Sequence, residues 1–355
     1  MKTIHRAIIR ELLFTFILSL LSLNFLLMME RILRLSRLLS GIGASIPDMI
    51  KIILYIQPQL MMLTIPMSLL LSILLTYGRL NADNELVILK TAGMPFRDIS
   101  MPVFIMGTIC FLGGLLVSFY ISPVSAVRLR DSVSRMITER APMAIEAGIF
   151  NTSFRDIVIL VREKPRPDEM KGIFIYDNRN NKEPKVLVAK EGRIYADREF
   201  NISVYMKDGY IHMARPEGSI EIFFKAYNLS LNLSQESPSR KNSEMTPIEI
   251  LKEARGRDAR ERIPFLLEFH RRLSLPSLCL LLMFLGPPLS LLSGKSGRLG
   301  GLTIGLSVFT IFYIMLVYGE NMARSGKIPP YAGAWAPVII IGIVSVWAFR
   351  KASLR

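Results

Sequence analysis

The stretch Arg79-Leu80-Asn81-Ala82-Asp83-Asn84-Glu85-Leu86-Val87-Ile88-Leu89-Lys90-Thr91-Ala92-Gly93-Met94-Pro95 decides how the chain is read, because it is charged, punctuated and set between two long hydrophobic runs. Asp83 or Asn84 can cap a short helix. Glu85 suits the positive N-terminal end of that helix and Lys90 its negative end, and Gly93 followed by Pro95 stops it. Leu86, Ile88, Leu89 and Ala92 give it one apolar flank, while Asp83, Glu85 and Lys90 stay available to something in water. A loop that only turns a chain around in a membrane can be shorter and less structured. Residues 79–95 therefore read as an amphipathic docking helix that hands mechanical work from a soluble partner to the helices around it.

The runs on either side span about 49–77 and 99–121, and a further one covers 12–29 with apolar helix continuing to about Leu39. Each is long enough to cross a bilayer. Lys2, Arg6 and Arg10 precede the first run and no small-residue cleavage site follows it, so an anchor is expected rather than a cleaved signal. Pro58 and Pro66 are expected to kink the second run. From about 122 to 262 the character changes to short alternating segments: Ile157 to Val161, Gly172 to Tyr176, Ile202 to Met206 and Ile220 to Phe224. Asp177-Asn178-Arg179-Asn180-Asn181 and Lys207-Asp208-Gly209-Tyr210 read as turns between them. This predicts a β-sandwich or jelly roll, with connecting helices near Ser125 to Glu139 and Pro247 to Arg255. Three more apolar runs follow, at about 265–292, 301–319 and 333–349.

The expected architecture is six transmembrane helices, three and three, with a β domain inserted between them. Helices one to three fall in 1–121, with the docking helix at 79–95. The β domain and its linking helices fall in 122–262, and helices four to six in 263–355. Composition agrees with such a hybrid: 51% of the 355 residues are hydrophobic while 21% are charged, and the mean hydropathy is +0.37. With an even number of spans both termini share a side. The basic residues of the N-terminus, the 79–97 loop, Lys295, Arg298, Arg350, Lys351 and Arg355 all fall on it, which makes it cytoplasmic and sets the β domain outside. The formal net charge of +15 could suit nucleic acid, yet no nucleic-acid module is visible; anionic lipid is the expected counterpart.

No constellation supports catalysis. Gly294-Lys295-Ser296 lacks the glycine a phosphate-binding loop needs at position 289, where Leu289 stands, and it follows an apolar run instead of a strand. With no other nucleotide motif, any ATP is hydrolysed by another chain. His5, His212 and His270 are too dispersed for a metal site, and Cys110 and Cys279 lie inside apolar runs and read as packing residues. The span centres carry no ionisable residue, which argues against a secondary transporter. Arg31, Arg34 and Arg37 run against the orientation rule, since they extend the first span at its outer end as a stripe roughly 9 Å long at ~1.5 Å per residue. One reading is snorkelling, with Glu30 and Arg34 as an i,i+4 pair. The other is contact with an anionic lipid headgroup, for which guanidinium forks are well suited.

The chain resembles the lipopolysaccharide export permeases, the LptF/LptG family, with the LptF type favoured. The resemblance rests on the proline-containing second span running into Gly78-Arg79-Leu80, then Asn84 to Gly93, then Glu268-Phe269-His270-Arg271-Arg272-Leu273-Ser274-Leu275-Pro276. Gly286-Pro287-Pro288-Leu289 and Gly326-Lys327-Ile328-Pro329-Pro330 with Trp335 complete it. It implies a multi-pass protein of the bacterial inner membrane with a periplasmic jelly roll, paired with a paralogous permease, a cytoplasmic ATPase dimer and a single-span periplasmic partner. No cofactor is bound by the chain itself, and ATP is used by the partner. By the same resemblance Glu85 contacts the ATPase, flanked by Asp83, Leu86, Lys90 and Gly93, and Arg31 and Arg34 meet lipid phosphates, to which spacing adds Arg37. The rival expectation is a mechanotransmission subunit, which relays ATPase motion to an external domain without moving lipid through its helices.

Overall fold

The computed structural model describes residues 2–40, 46–140, 147–154, 156–166, 168–179, 184–196, 201–215, 218–232, 242–292 and 297–354. Helices α1 (Lys2–Ser40), α2 (Ile46–Ala82), α3 (Glu85–Thr91) and α4 (Phe96–Leu116) come first, and a π-helical turn, Val117–Ile121, joins α4 to α5 (Ser122–Arg140). Strands β1 (Phe150–Phe154), β2 (Ile157–Glu163), β3 (Glu169–Asp177), β4 (Lys185–Ala196), β5 (Asn201–Arg215) and β6 (Gly218–Asn232) follow. Helices α6 (Pro247–Arg255), α7 (Ala259–Leu292), α8 (Gly297–Arg324) and α9 (Pro330–Ser353) close the chain. Six helical stretches among the described residues are long and apolar enough to cross a membrane, three before the strands and three after them. Contacts divide the chain into two units, one of residues 1–30, 54–127 and 240–355, the other of residues 31–53 and 128–239.

In the helical unit α2 is the central element. Leu69, Ile73, Leu74 and Tyr77 are fully buried in it, whereas α1 and α8 leave most of their apolar surface open. Lipid tails are as apolar as leucine, so close backbone approach and polar contacts hold such helices together. A Cβ on Gly301 would lie 2.8 Å from the Leu74 carbonyl oxygen of α2, and one on Gly319 of α8 would lie 2.6 Å from the Gly333 carbonyl oxygen of α9. Both contacts require glycine. The Tyr77 hydroxyl donates to the Ile99 carbonyl at 2.7 Å, tying α2 to α4. Phe104 meets Phe284 at 5.1 Å and Phe349 at 5.6 Å between ring centroids, in the tilted and edge-on arrangements aromatic quadrupoles favour, so α4, α7 and α9 share one aromatic cluster.

A row of hydroxyl residues, Thr64, Ser68, Ser72 and Thr76, runs along α2 at every fourth position and is wholly buried. Such spacing forms one ridge on a helix surface. At its ends it meets α1: Thr15 and Thr76 share a hydrogen bond of 3.1 Å, and Thr64 donates to the Asn24 side-chain oxygen at 3.3 Å.

Arg272 of α7 is the largest fully buried side chain among the described residues, with only 1% of it exposed. Its Nε donates to Glu268 at 3.0 Å, and its Nη atoms donate to the carbonyls of Met245 at 2.6 Å, Asn242 at 3.0 Å and Ser243 at 3.1 Å. The segment that leads into α6 is thus fastened to α7. Its own helix start is capped by Thr246 and Glu249 in a reciprocal box, with Pro247 at the first position. The Ser118 hydroxyl, in the π-helical turn, donates to the Arg272 carbonyl at 2.9 Å.

The second unit holds the strands, each pairing antiparallel with the next in the order β1-β2-β3-β4-β5-β6. Alternate residues Ile157, Ile159 and Val161, then Ile173 and Ile175, then Val204 and Met206 face one buried side, against which Val133 of α5 packs. All four segments expected as strands are strands. The β domain is therefore as expected, but its described strands follow one another as a meander, a simpler connectivity than the interleaved order that defines a jelly roll. Periodicity reports which face is buried and not which strand lies beside which. Lys207 to Tyr210, expected as a turn, lies within β5. Asp208 adopts φ 49° there, yet pairing is in register on both sides of it. Gly209 is a packing glycine, since a Cβ would strike the Val188 carbonyl and the Phe224 ring.

Candidate coupling and lipid-contact sites

Helix α3 forms where the docking helix was expected, but its start is built differently. Asn84 sits at the cap position with φ 59° and makes no side-chain cap, and Asp83 turns its carboxylate to Arg79 instead. At the other end Gly93, φ 86°, donates to the Lys90 carbonyl at 3.0 Å and Met94 donates to the Leu89 carbonyl at 3.1 Å. These are the paired bonds of a Schellman end, which needs a left-handed residue where glycine stands.

The faces of α3 are also distributed otherwise than its composition suggests. Leu86 is 1% exposed and enters the core of the helical unit, and Leu89 packs against it. Ile88 and Ala92, expected on the same buried flank, are exposed, as is Val87. Seven residues give less than two turns, so the buried side is only about one or two side chains wide. Lys90 holds its ammonium 5.3 Å from the Phe96 ring centroid, a cation–π contact at the α4 start. What remains outward is an apolar pair, Val87 and Ile88, beside the carboxylate of Glu85.

Arg79, in the last turn of α2, organises the charges. Its Nε and Nη2 donate to the two oxygens of Glu11 in α1, both at 2.7 Å, and its Nη1 donates to Glu85 at 2.8 Å and Asp83 at 3.0 Å. Three carboxylates from different segments surround one guanidinium, leaving the cluster net negative. Asp83 and Glu85 were expected at this site. Arg79 and Glu11 were not given a role from the sequence, although a lone carboxylate at the end of an apolar helix signals that a partner is needed.

The basic stripe lies on α1, which continues to Ser40 as one helix. Arg31 is exposed. The side chains of Arg34 and Arg37, like Gly294-Lys295-Ser296, lie outside the described residues. Among the described residues no group of three or more His, Cys, Asp or Glu is placed to hold a metal ion. Cys110 and Cys279 are buried free thiols.

Comparison with known proteins adds the following. The family model described as lipopolysaccharide export system permease LptF/LptG matches residues 6–351. The lipopolysaccharide export system permease protein LptF of Escherichia coli strain K12 is 20% identical over 310 residues, covering 85% of this chain and 79% of that protein. An uncharacterized protein of Rickettsia prowazekii is 22% identical over 286 residues, covering 78% of each chain.

Proposed function

The chain belongs to the lipopolysaccharide export permease family LptF/LptG, a multi-pass membrane subunit of that export system, and we propose that it draws lipopolysaccharide from the outer leaflet of the inner membrane using work delivered at α3. The observation that carries the coupling role is the exposed apolar pair Val87 and Ile88 beside Glu85, on a helix pinned by the buried Leu86. Burial of such a pair against a soluble surface, with Glu85 meeting a basic group, fits a cytoplasmic ATPase that hydrolyses ATP on behalf of this non-catalytic chain. Its dimer takes α3 of this chain and the equivalent helix of a paralogous permease.

Arg31, Arg34 and Arg37 take the phosphates of the lipid headgroup. The β domain stands in the periplasm and hands the lipid to a single-span partner with a similar domain. Both termini are cytoplasmic. The reading is supported by the family match over nearly the whole chain and by the six spans around an all-β insert.

The test is purification of the complex from its native membrane, with identification of co-purifying proteins and lipids, then reconstitution in proteoliposomes. Recovery of an ATPase, a second permease and lipopolysaccharide, with ATP-dependent release of the lipid, is the expected result. An ATPase that turns over and shifts the β domain while no lipid leaves the bilayer would favour the mechanotransmission reading instead.

A further inference from the structure

We propose that Arg79 is a positioning residue that carries displacement of α3 directly to α1, so that one guanidinium links the docking helix to the first membrane span. The inference rests on the coupling role of α3 proposed above. Its basis is how the three donating atoms are shared. Nε and Nη2 grip Glu11 on one edge of the guanidinium, and Nη1 holds Glu85 and Asp83 on another. The group is planar and rigid, so one edge cannot follow a moving carboxylate without rotating the other. Lysine, a point charge on a flexible stem, does not impose that constraint.

Two nearby contacts between α1 and α2 set the scale of this link. They are the neutral hydrogen bonds Thr15–Thr76 and Asn24–Thr64, at 3.1 and 3.3 Å. A bidentate Arg–carboxylate pair is shorter and roughly twice as strong as a neutral bond. Only about a quarter of the Arg79 and Glu11 side chains is exposed, 27% and 28%, so solvent does not screen the pair away.

At the other edge Glu85 is 46% exposed and reachable from outside. A basic group that docks on α3 competes with Nη1 for Glu85. Whether it draws Glu85 outward or pushes α3 inward, the plane of Arg79 turns and Glu11 turns with it. Glu11 and Arg79 thus act through position and touch neither nucleotide nor lipid.

The experiment uses the purified complex with its ATPase in proteoliposomes. Glu11→Gln removes the charge and one of the two acceptor oxygens, Glu11→Ala removes the link to α1 altogether, and both leave the contacts of Arg79 with Glu85 and Asp83 in place. Lipid exported per ATP is expected to fall roughly fivefold or more, the scale of an ordinary coupling free energy, while ATP hydrolysis stays within about twofold of wild type; Arg79→Lys falls between. A second readout does not depend on export. With Thr15→Cys and Thr76→Cys, the rate of disulfide cross-linking changes with nucleotide state in the otherwise wild-type complex, and that change is lost with Glu11→Ala.

Unchanged lipid per ATP together with unchanged nucleotide dependence in Glu11→Ala overturns the proposal. So does a parallel loss of hydrolysis, export and folded complex in both Glu11 variants, which would make the pair purely structural. A wild-type chain that recovers no ATPase sinks the coupling reading and this inference with it. A wild-type complex that responds to nucleotide, with Glu11→Ala responding equally, sinks only the inference.

Discussion

Arg79 and Glu11, 68 residues apart in sequence, face each other as a two-point fork with both contacts at 2.7 Å. The same guanidinium balances Asp83 and Glu85, so its removal leaves three carboxylates in mutual repulsion. Arg79→Ala is expected to lower the thermal midpoint of the detergent-purified protein. Exposed charges are screened within about 8 Å at physiological ionic strength, and raising the salt should recover part of the loss. A deficit that is indifferent to salt would point to lost packing of the arginine stem.

Arg272 combines a near-complete burial with one carboxylate and three carbonyl partners. Truncating one member of a buried ion pair typically costs about 3–5 kcal/mol, and Arg272→Ala should fall in that range. Lysine cannot reach Glu268 and the carbonyls together, so Arg272→Lys is expected to lose a smaller but clear part. Limited proteolysis checks the mechanism, since cleavage near Asn242 to Met245 should rise in proportion to the destabilisation.

Gly319→Ala sets a methyl group against the Gly333 carbonyl, a backbone atom that cannot swing aside. Overpacking of this kind costs about 1–3 kcal/mol. The variant should show a lowered thermal midpoint, and cysteine pairs across α8 and α9 should cross-link more slowly. An unaffected midpoint would mean that the two helices separate freely.

Burial pushes the Asp177 carboxyl up, but the Arg179 guanidinium and backbone N–H, with Lys185 nearby, outweigh it and hold the group below its usual value of 3.8. Arg179 also donates to the Ser230 carbonyl at 3.0 Å, tying the β3 end to β6. A lowered folded value means that the contribution is present above pH about 4 and is lost as pH falls through the folded value. The thermal midpoint of wild type should therefore exceed that of Asp177→Asn at pH about 6, and the difference should shrink as the pH is lowered below about 4.

For the lipid role, a photo-crosslinking residue at position 31, 34 or 37 is expected to give lipopolysaccharide adducts. Arg→Glu changes at these positions should reduce export more than Arg→Ala, with Arg→Lys intermediate because the charge is kept and the fork lost. Absence of adducts at all three, with export intact in the Glu variants, would leave the stripe as a snorkelling anchor.

Much of this architecture is legible in the sequence. Spans announce themselves by length and hydropathy, and Gly93 announced the end of α3, because a left-handed residue there has few substitutes. The alternation of Ile157, Ile159 and Val161 marked a half-buried strand. Other features were hidden for physical reasons. Asp208-Gly209 carries turn composition, yet the glycine is required by the crowding of Val188 and Phe224, which only pairing of β4, β5 and β6 creates. Ile88 and Leu89 are interchangeable in hydropathy, and Leu89 turns inward because it shares a helix face with the buried Leu86, three residues before it. Glu11 and Arg79 meet through the antiparallel approach of α1 and α2, a relationship with no local signature.

The hydroxyl ridge on α2 has a geometric consequence of its own. A pattern that recurs every four residues repeats after about 6 Å of rise along a slightly inclined ridge, so the ridge sets a direction of travel for α1 with fixed points only at its ends. Ser68 and Ser72 in its middle do not distinguish one turn from the next, whereas Thr76 and Thr64 at its ends hold Thr15 and Asn24 of α1. The rung that α1 occupies is further fixed just beyond the ridge, where Glu11 and Arg79 bring opposite charge together across the two helices.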